Sequence, residues 1–189
     1  MLLKQLVTIN EKGLVANAVS FELMDNTEKN LRLCRGFVFN YDPDPKSIKS
    51  STVGVLDAIR RSFHSPSEPN IHLMVQDYGK GKSHFALAVA NFFKKPCDSA
   101  EVQGVLQQVE YATSSTSGIL ESLRLYKQRG RHLVICLSGD KTIDLKKHFL
   151  QALRKSLESE GITDFIAQQI CKQPLESIPL IKFFEPKDG

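Results

Sequence analysis

The chain has 189 residues, 41% hydrophobic and 24% charged, with a formal net charge of +4. That length and composition fit a globular protein of one large domain, or one domain with an appendage, able to bury a real core. No apolar stretch approaches the ~18 residues that cross a bilayer, so no membrane contact is expected, and so small a net charge does not by itself argue for nucleic acid.

At the amino terminus Lys4 stands among apolar residues, with no long apolar run or small-residue cleavage site after it, so no signal peptide is expected. Gly13–Leu23 and Leu31–Tyr41 are apolar-alternating runs separated by the polar stretch Asp25–Asn30. They predict a hairpin, and residues 1–45 read as a β-rich lead-in. Pro43 and Pro45 then break regular structure. From Ser51 to Phe63, Val53, Leu56, Ile59 and Phe63 recur at helical spacing, with Ser50, Ser51 and Thr52 available as caps. A loop, Ser65–Asn70, leads into an apolar run, Ile71–Val75, that reads as a strand.

Immediately after that run comes Gln76–Ser83, QDYGKGKS, followed by the helical stretch HFALAVANFF. A strand, a Gly-containing turn ending in Gly-Lys-Ser and a helix make up the signature of a phosphate-binding P-loop. Each residue type has a mechanical task. Gly79 and Gly81 allow a sharp turn whose N–H groups approach phosphate oxygens, where a Cβ would intrude. The following helix start offers unpaired donors and partial positive charge. Lys82 would reach the β- and γ-phosphates, and the Ser83 hydroxyl would ligate Mg²⁺. The expected binding set runs from Asp77 through Tyr78, Gly79, Lys80, Gly81, Lys82 and Ser83 to His84, whose backbone N–H would meet the α-phosphate. The ligands implied are ATP and Mg²⁺. One departure stands out: the leading Gly of G-x-x-x-x-G-K-[ST] is Gln76 here. A bare Gly-Lys-Ser also occurs in solvated polar turns, and the flanking strand and helix are what lift it above that reading.

Beyond the loop, Phe85, Ala88, Val89 and Phe92 form an apolar stripe. Ser99 caps a second one at Val102, Val105, Leu106 and Val109. Ile119, Leu123 and Tyr126 follow on a third helix. His132–Leu137 is a short continuous apolar run suited to a strand covered on both faces. Thr142–Glu158 is a strong helix through Leu145, Phe149, Leu153 and Leu157, Gly161–Cys171 also reads as helical, and Ile178–Phe184 could close the set as a strand. Strands alternating with helices predict an α/β fold: a P-loop NTPase-type sandwich over 46–189 with a largely parallel sheet. The stretch after Ser83 is short for a full strand set, so the domain is expected to continue in a longer protein.

A working ATPase also needs an acid at a strand end, to hold Mg²⁺ and orient the attacking water. The candidates are Asp140, three residues late after Leu137, and Glu185, which follows a run interrupted by Lys182. No arginine finger stands out. Cys34, Cys97, Cys136 and Cys171 form no CxxC pair and read as free thiols of a cytoplasmic protein. From Glu121 to Lys155 basic residues outnumber acids, with RLYKQRGR at Arg124–Arg131. A solvated helix end explains such a run more often than a nucleic-acid surface does.

The stretch HLMVQDYGKGKSHFALAVANFF resembles the amino-terminal part of large bacterial phage-defence ATPases, including the BREX-system ATPase. Their phosphate loop looks like G-[DEP]-[YF]-G-x-G-K-[ST]-H. Asp77, Tyr78, Gly79, Gly81, Lys82, Ser83 and His84 match it, and Gln76 departs from it. The resemblance implies an ATP-dependent and oligomeric component, acting on or near DNA or defence-system proteins. The family's acid after the loop has no clear counterpart. A non-hydrolysing nucleotide-binding module and, less favoured, a small-molecule kinase are the alternatives.

Overall fold

Asn26 begins the first helix, and that cap decides how the amino-terminal region folds. The computed structural model describes residues 19–44, 51–75, 77, 79–113, 118–137 and 144–162. A 3-10 turn, Phe21–Asp25, leads into α1, Thr27–Gly36. Asn26 Oδ1 accepts the Lys29 amide at 3.0 Å, satisfying a donor that the helix start leaves open. The polar run expected as a hairpin turn is therefore a cap and a first helical turn. Of the expected first strand, residues 13–18 lie outside the described residues and Phe21–Leu23 belong to the 3-10 turn. The expected second strand is not formed: Leu31–Gly36 completes α1, and Phe37–Tyr41 has no regular secondary structure. Helix prevails because Asn30, Leu33, Cys34 and Phe37, at i, i+3, i+4 and i+7, are all buried. The polar Asn30 in that stripe conceals it from a purely apolar pattern.

The later helices follow the sequence more closely. Ser51 caps α2, Thr52–Ser62, accepting the Gly54 amide at 3.0 Å. Next come α3, Lys82–Lys94, and α4, Ala100–Ala112, the latter capped by Ser99. Last are α5, Ile119–Gln128, and α6, Leu145–Ser159, capped by Asp144. Phe85, Ala88, Phe92, Val102, Val105, Leu106 and Val109 are all buried, as their spacing predicts. In α6 the register is turned: Leu150 is buried while Leu145 is 73% exposed.

The α/β sandwich with a parallel sheet is overturned. Helix takes 61% of the described residues, and no strand occurs among them. Ile71, Leu73 and Val75 are 84%, 87% and 80% exposed, with only Met74 turned towards the core. His132–Leu137 has no regular secondary structure and pairs with no strand among the described residues; it is tied instead to helices. The His132 amide donates to Phe93 O at 2.9 Å, and Ser156 Oγ donates to Val134 O at 3.0 Å. Apolar alternation marks a chain with one face to bury, but a sheet also needs a neighbouring backbone to pair with. Here the core is filled by helices: α1 lies across α3 and α4, and α5 packs against α4 and α2. At the α1–α4 contact a Cβ on Gly104 would meet Arg35 Cγ at 2.8 Å, so the close approach needs glycine.

Three buried polar residues join α1, α3 and α4. Asn30 and Asn91, both 0% exposed, exchange amide hydrogen bonds at 2.8 Å in each direction. Asn91 Nδ2 also donates to Leu87 O at 3.0 Å, and Asn30 Nδ2 to Glu101 Oε1 at 3.4 Å. Removing one amide leaves the other buried without its partner, which costs more than removing both. Asn91→Leu should therefore lower stability by about 2 kcal/mol, and the double variant Asn30→Leu/Asn91→Leu should recover part of it. Urea unfolding of both singles and the double checks this; additive losses would show that the pair is uncoupled.

A second buried polar group is Lys127, 1% exposed at the end of α5. Its Nζ donates to Phe93 O at 3.2 Å and Gly130 O at 3.3 Å, and lies 5.8 Å from the Phe92 ring centroid. No carboxylate pairs with it among the described residues, and burial pushes its ammonium pKa down to about 8. The folded chain thus gives up this proton before the unfolded chain does. Stability gains from it as pH rises from about 8 towards the ordinary lysine value, and at neutral pH the burial cost is carried in full. Lys127→Met should be at least as stable as the parent at neutral pH, and that advantage should shrink through pH 8–10. Thermal midpoints of both proteins across that range test the sign.

Candidate phosphate-binding loop

The loop before α3 is built by two glycines in left-handed backbone. Gly79 has φ 78° and Gly81 φ 83°, a region that residues with a Cβ rarely adopt. A Cβ at either position would meet nothing within 4 Å, so their requirement is conformational and the space before them is open. Gly81 is the N-cap of α3, and its carbonyl accepts the first intrahelical bond, from the Phe85 amide at 2.9 Å. Amides preceding Phe85 in that first turn have no acceptor within the helix and point out along its axis, where the helix dipole adds positive potential.

Lys82 folds back over this turn. Its Nζ donates to Asp77 O at 2.8 Å, which sets the ammonium across the loop. Asp77, Lys80 and Ser83 are exposed. The structure thus brings Asp77, Gly79, Lys80, Gly81, Lys82 and Ser83 around one turn, while Tyr78 and Gln76 lie outside the described residues. So do Asp140 and Glu185, the two acids put forward for catalysis, and Cys171.

His84 has a structural task that the motif does not convey. Its Nε2 lies 2.7 Å from Leu33 O, and because a carbonyl only accepts, Nε2 carries the hydrogen. Its ring meets Phe37 edge-on at 5.1 Å, beside Phe85, whose centroid is 5.5 Å from Phe37 and 6.1 Å from Phe39. The loop is therefore held from behind by the α1–α3 contact and not by a sheet. The signal was present in the sequence: His84, Leu87, Ala88 and Asn91 share one face of α3 at i, i+3, i+4 and i+7.

Chemically, the turn offers backbone donors, one ammonium folded over it and an exposed hydroxyl. That set suits a phosphate group. Among the described residues no three His, Cys, Asp or Glu side chains stand together as a metal site. A Mg²⁺ ion here would rely on Ser83 Oγ and on oxygens of the phosphates it accompanies. Away from the loop, Cys34, Cys97 and Cys136 are free thiols, and burial pushes the Cys34 pKa up to about 12, so it is inert near neutral pH. No helix among the described residues is long and apolar enough to cross a membrane. Compared with known proteins, the chain matches no family model, no curated protein and no solved structure.

Because His84 ties the helix start to α1, His84→Ala should lower stability by about 1 kcal/mol through loss of one partly buried hydrogen bond and its ring contact. The thermal midpoint reads this directly, and an unchanged midpoint would remove His84 from the anchoring role.

Proposed function

We propose that the Asp77–His84 turn binds the phosphates of a nucleoside triphosphate, with ATP and Mg²⁺ as the working pair. The observation that carries this reading is the loop itself: two left-handed glycines leading into α3, with the Lys82 ammonium folded over Asp77 O at 2.8 Å. In the bound state the first-turn amides of α3 would donate to phosphate oxygens, and Lys82 would exchange the Asp77 carbonyl for a β- or γ-phosphate. Ser83 Oγ would take a place on Mg²⁺, whose charge offsets that of the triphosphate. Rigid backing from His84 and Phe85 lets the loop keep its shape without a flanking sheet. The short resemblance to phage-defence ATPases supports ATP as the nucleotide, and with it a role as the ATP-binding part of a larger, oligomeric machine. The free thiols and the nucleotide together support a cytoplasmic setting.

Binding and turnover separate in this reading. Neither acid candidate belongs to the loop in sequence, and no arginine finger is apparent, a group worth ~10³–10⁵ in rate where one acts. The 189-residue chain alone is therefore a nucleotide binder with turnover near background, which is also the behaviour of a module whose partner reads the bound nucleotide. Lys82→Ala should reduce ATP–Mg²⁺ affinity by at least an order of magnitude while leaving the helical signal unchanged, since Lys82 packs into no core. Calorimetric titration beside circular dichroism tests it, and equal affinity in the two proteins would overturn the proposal. Steady-state turnover of several ATP per second by this chain would overturn the separation of binding from hydrolysis.

A further inference from the structure

At the other end of α3 lies a feature that phosphate binding leaves unused. The 13 residues of α3 span about 20 Å, so its carboxy-terminal end is far from Lys82. There Phe93 packs against Phe63, Tyr126 and His132, with ring centroids at 5.5, 6.1 and 5.6 Å. Phe63, just past α2, stacks on His132 at 4.3 Å with the rings 23° apart, yet remains 51% exposed. Tyr126 and His132 are nearly parallel and joined through the hydroxyl and Nε2 at 2.5 Å. These three rings, with His64, Arg129 and Arg131, line an open cavity of about 240 Å³.

Among the described residues that line this cavity, Arg129 and Arg131 carry positive charge and none is acidic. Arg129 and His64 have no ion-pair partner among the described residues, and Arg131 pairs with Glu160 at 2.9 Å. A second concavity, about 220 Å³, shares Arg131 and His132 with the first and is also lined by Leu133 and Glu160. This is where the basic run Arg124–Arg131 ends. Burial, then the charges of Lys127 and His64, hold the His132 imidazole pKa below its ordinary value, so the ring is a neutral stacking surface near pH 7.

We propose that this paired cavity at the ends of α2 and α5 binds single-stranded nucleic acid, one base resting against Phe63 and adjacent phosphates on Arg129 and Arg131. The exposed aromatic face suits an unpaired base, which a duplex would keep stacked inside its own helix. The two arginines fit backbone phosphates, and two neighbouring concavities that share Arg131 and His132 fit successive nucleotides better than one small ligand. Glu160 is then a competitor, since a phosphate must share Arg131 with it. The site is independent of the phosphate loop.

The test is fluorescence anisotropy of the full chain, without nucleotide, against labelled oligothymidylate, oligouridylate, a duplex of equal length and thymidine monophosphate at low ionic strength. Either single strand should bind more tightly than the duplex or the mononucleotide, and the two single strands together report whether the sugar matters. Arg129→Glu, at an exposed position, should weaken binding about tenfold and flatten its salt dependence. Phe63→Leu, which keeps an apolar side chain but removes the ring, should weaken it about fivefold or more. Glu160→Gln should strengthen it, and Lys82→Ala should leave it unchanged. Circular dichroism of each variant confirms folding. No binding of either single strand, duplex binding as tight as single-strand binding, or mononucleotide binding as tight would overturn the proposal. So would indifference to Phe63→Leu or Arg129→Glu, or loss of binding with Lys82→Ala, which would place the strand at the phosphate loop instead.

Discussion

The reciprocal amide pair between Asn30 and Asn91 holds the structure in one arrangement. Both side chains are fully buried, and each satisfies the other while Leu87 O and Glu101 take the remaining donors. Apolar contacts alone would let α1 slide or rotate on α3 and α4 at small cost, because hydrophobic burial is nearly non-directional. Two amides that must face one another at 2.8 Å admit a single register. The His84 bond to Leu33 O and the Phe37–Phe85 contact follow from that register, and with them the position of the loop.

Helix α3 joins the glycine turn at one end to an aromatic cluster at the other, with a specified core between them. Its first turn carries the two glycines and Lys82. Its last turn presents Phe93 and a carbonyl that accepts from both the His132 amide and Lys127. Lys127 is the costly element here: an ammonium taken out of water with two carbonyls and a ring face for company and, among the described residues, no carboxylate. What it does is fasten the end of α5 to the end of α3, which brings Tyr126 and His132 to the same place.

The buried stripes of α2, α3 and α4 were legible from spacing because their residues are apolar and their starts carry Ser51 and Ser99 as caps. The stripe of α1 was not, since Asn30 sits within it and the alternation of Leu31 and Leu33 with arginine imitates a strand. Residues 71–75 and 132–137 carry the apolar pattern of strands, but their backbones find no partner strand among the described residues, and a ladder is a property of two segments. Of the loop, the glycines and Lys82 were legible because their conformational and charge requirements are local. The face of α3 that carries His84 was legible too, but its acceptor was not, because Leu33 O lies 51 residues away.

By itself, then, the amino-acid sequence determined the serine caps of α2 and α4, which faces of α2 to α4 are apolar, and that Gly79 and Gly81 are free to take left-handed backbone before α3. These are consequences of backbone sterics, capping and periodicity within a few residues. Only the tertiary structure decided that Asn30, Asn91 and Glu101 share one site, that Lys127 is buried, and that Phe63 and His132 stack across a cavity. Each of those depends on side chains from distant segments meeting once the core has closed. The choice of helix against strand in the amino-terminal region belongs there too, because both patterns were available locally and the surface offered by α3 and α4 favoured one.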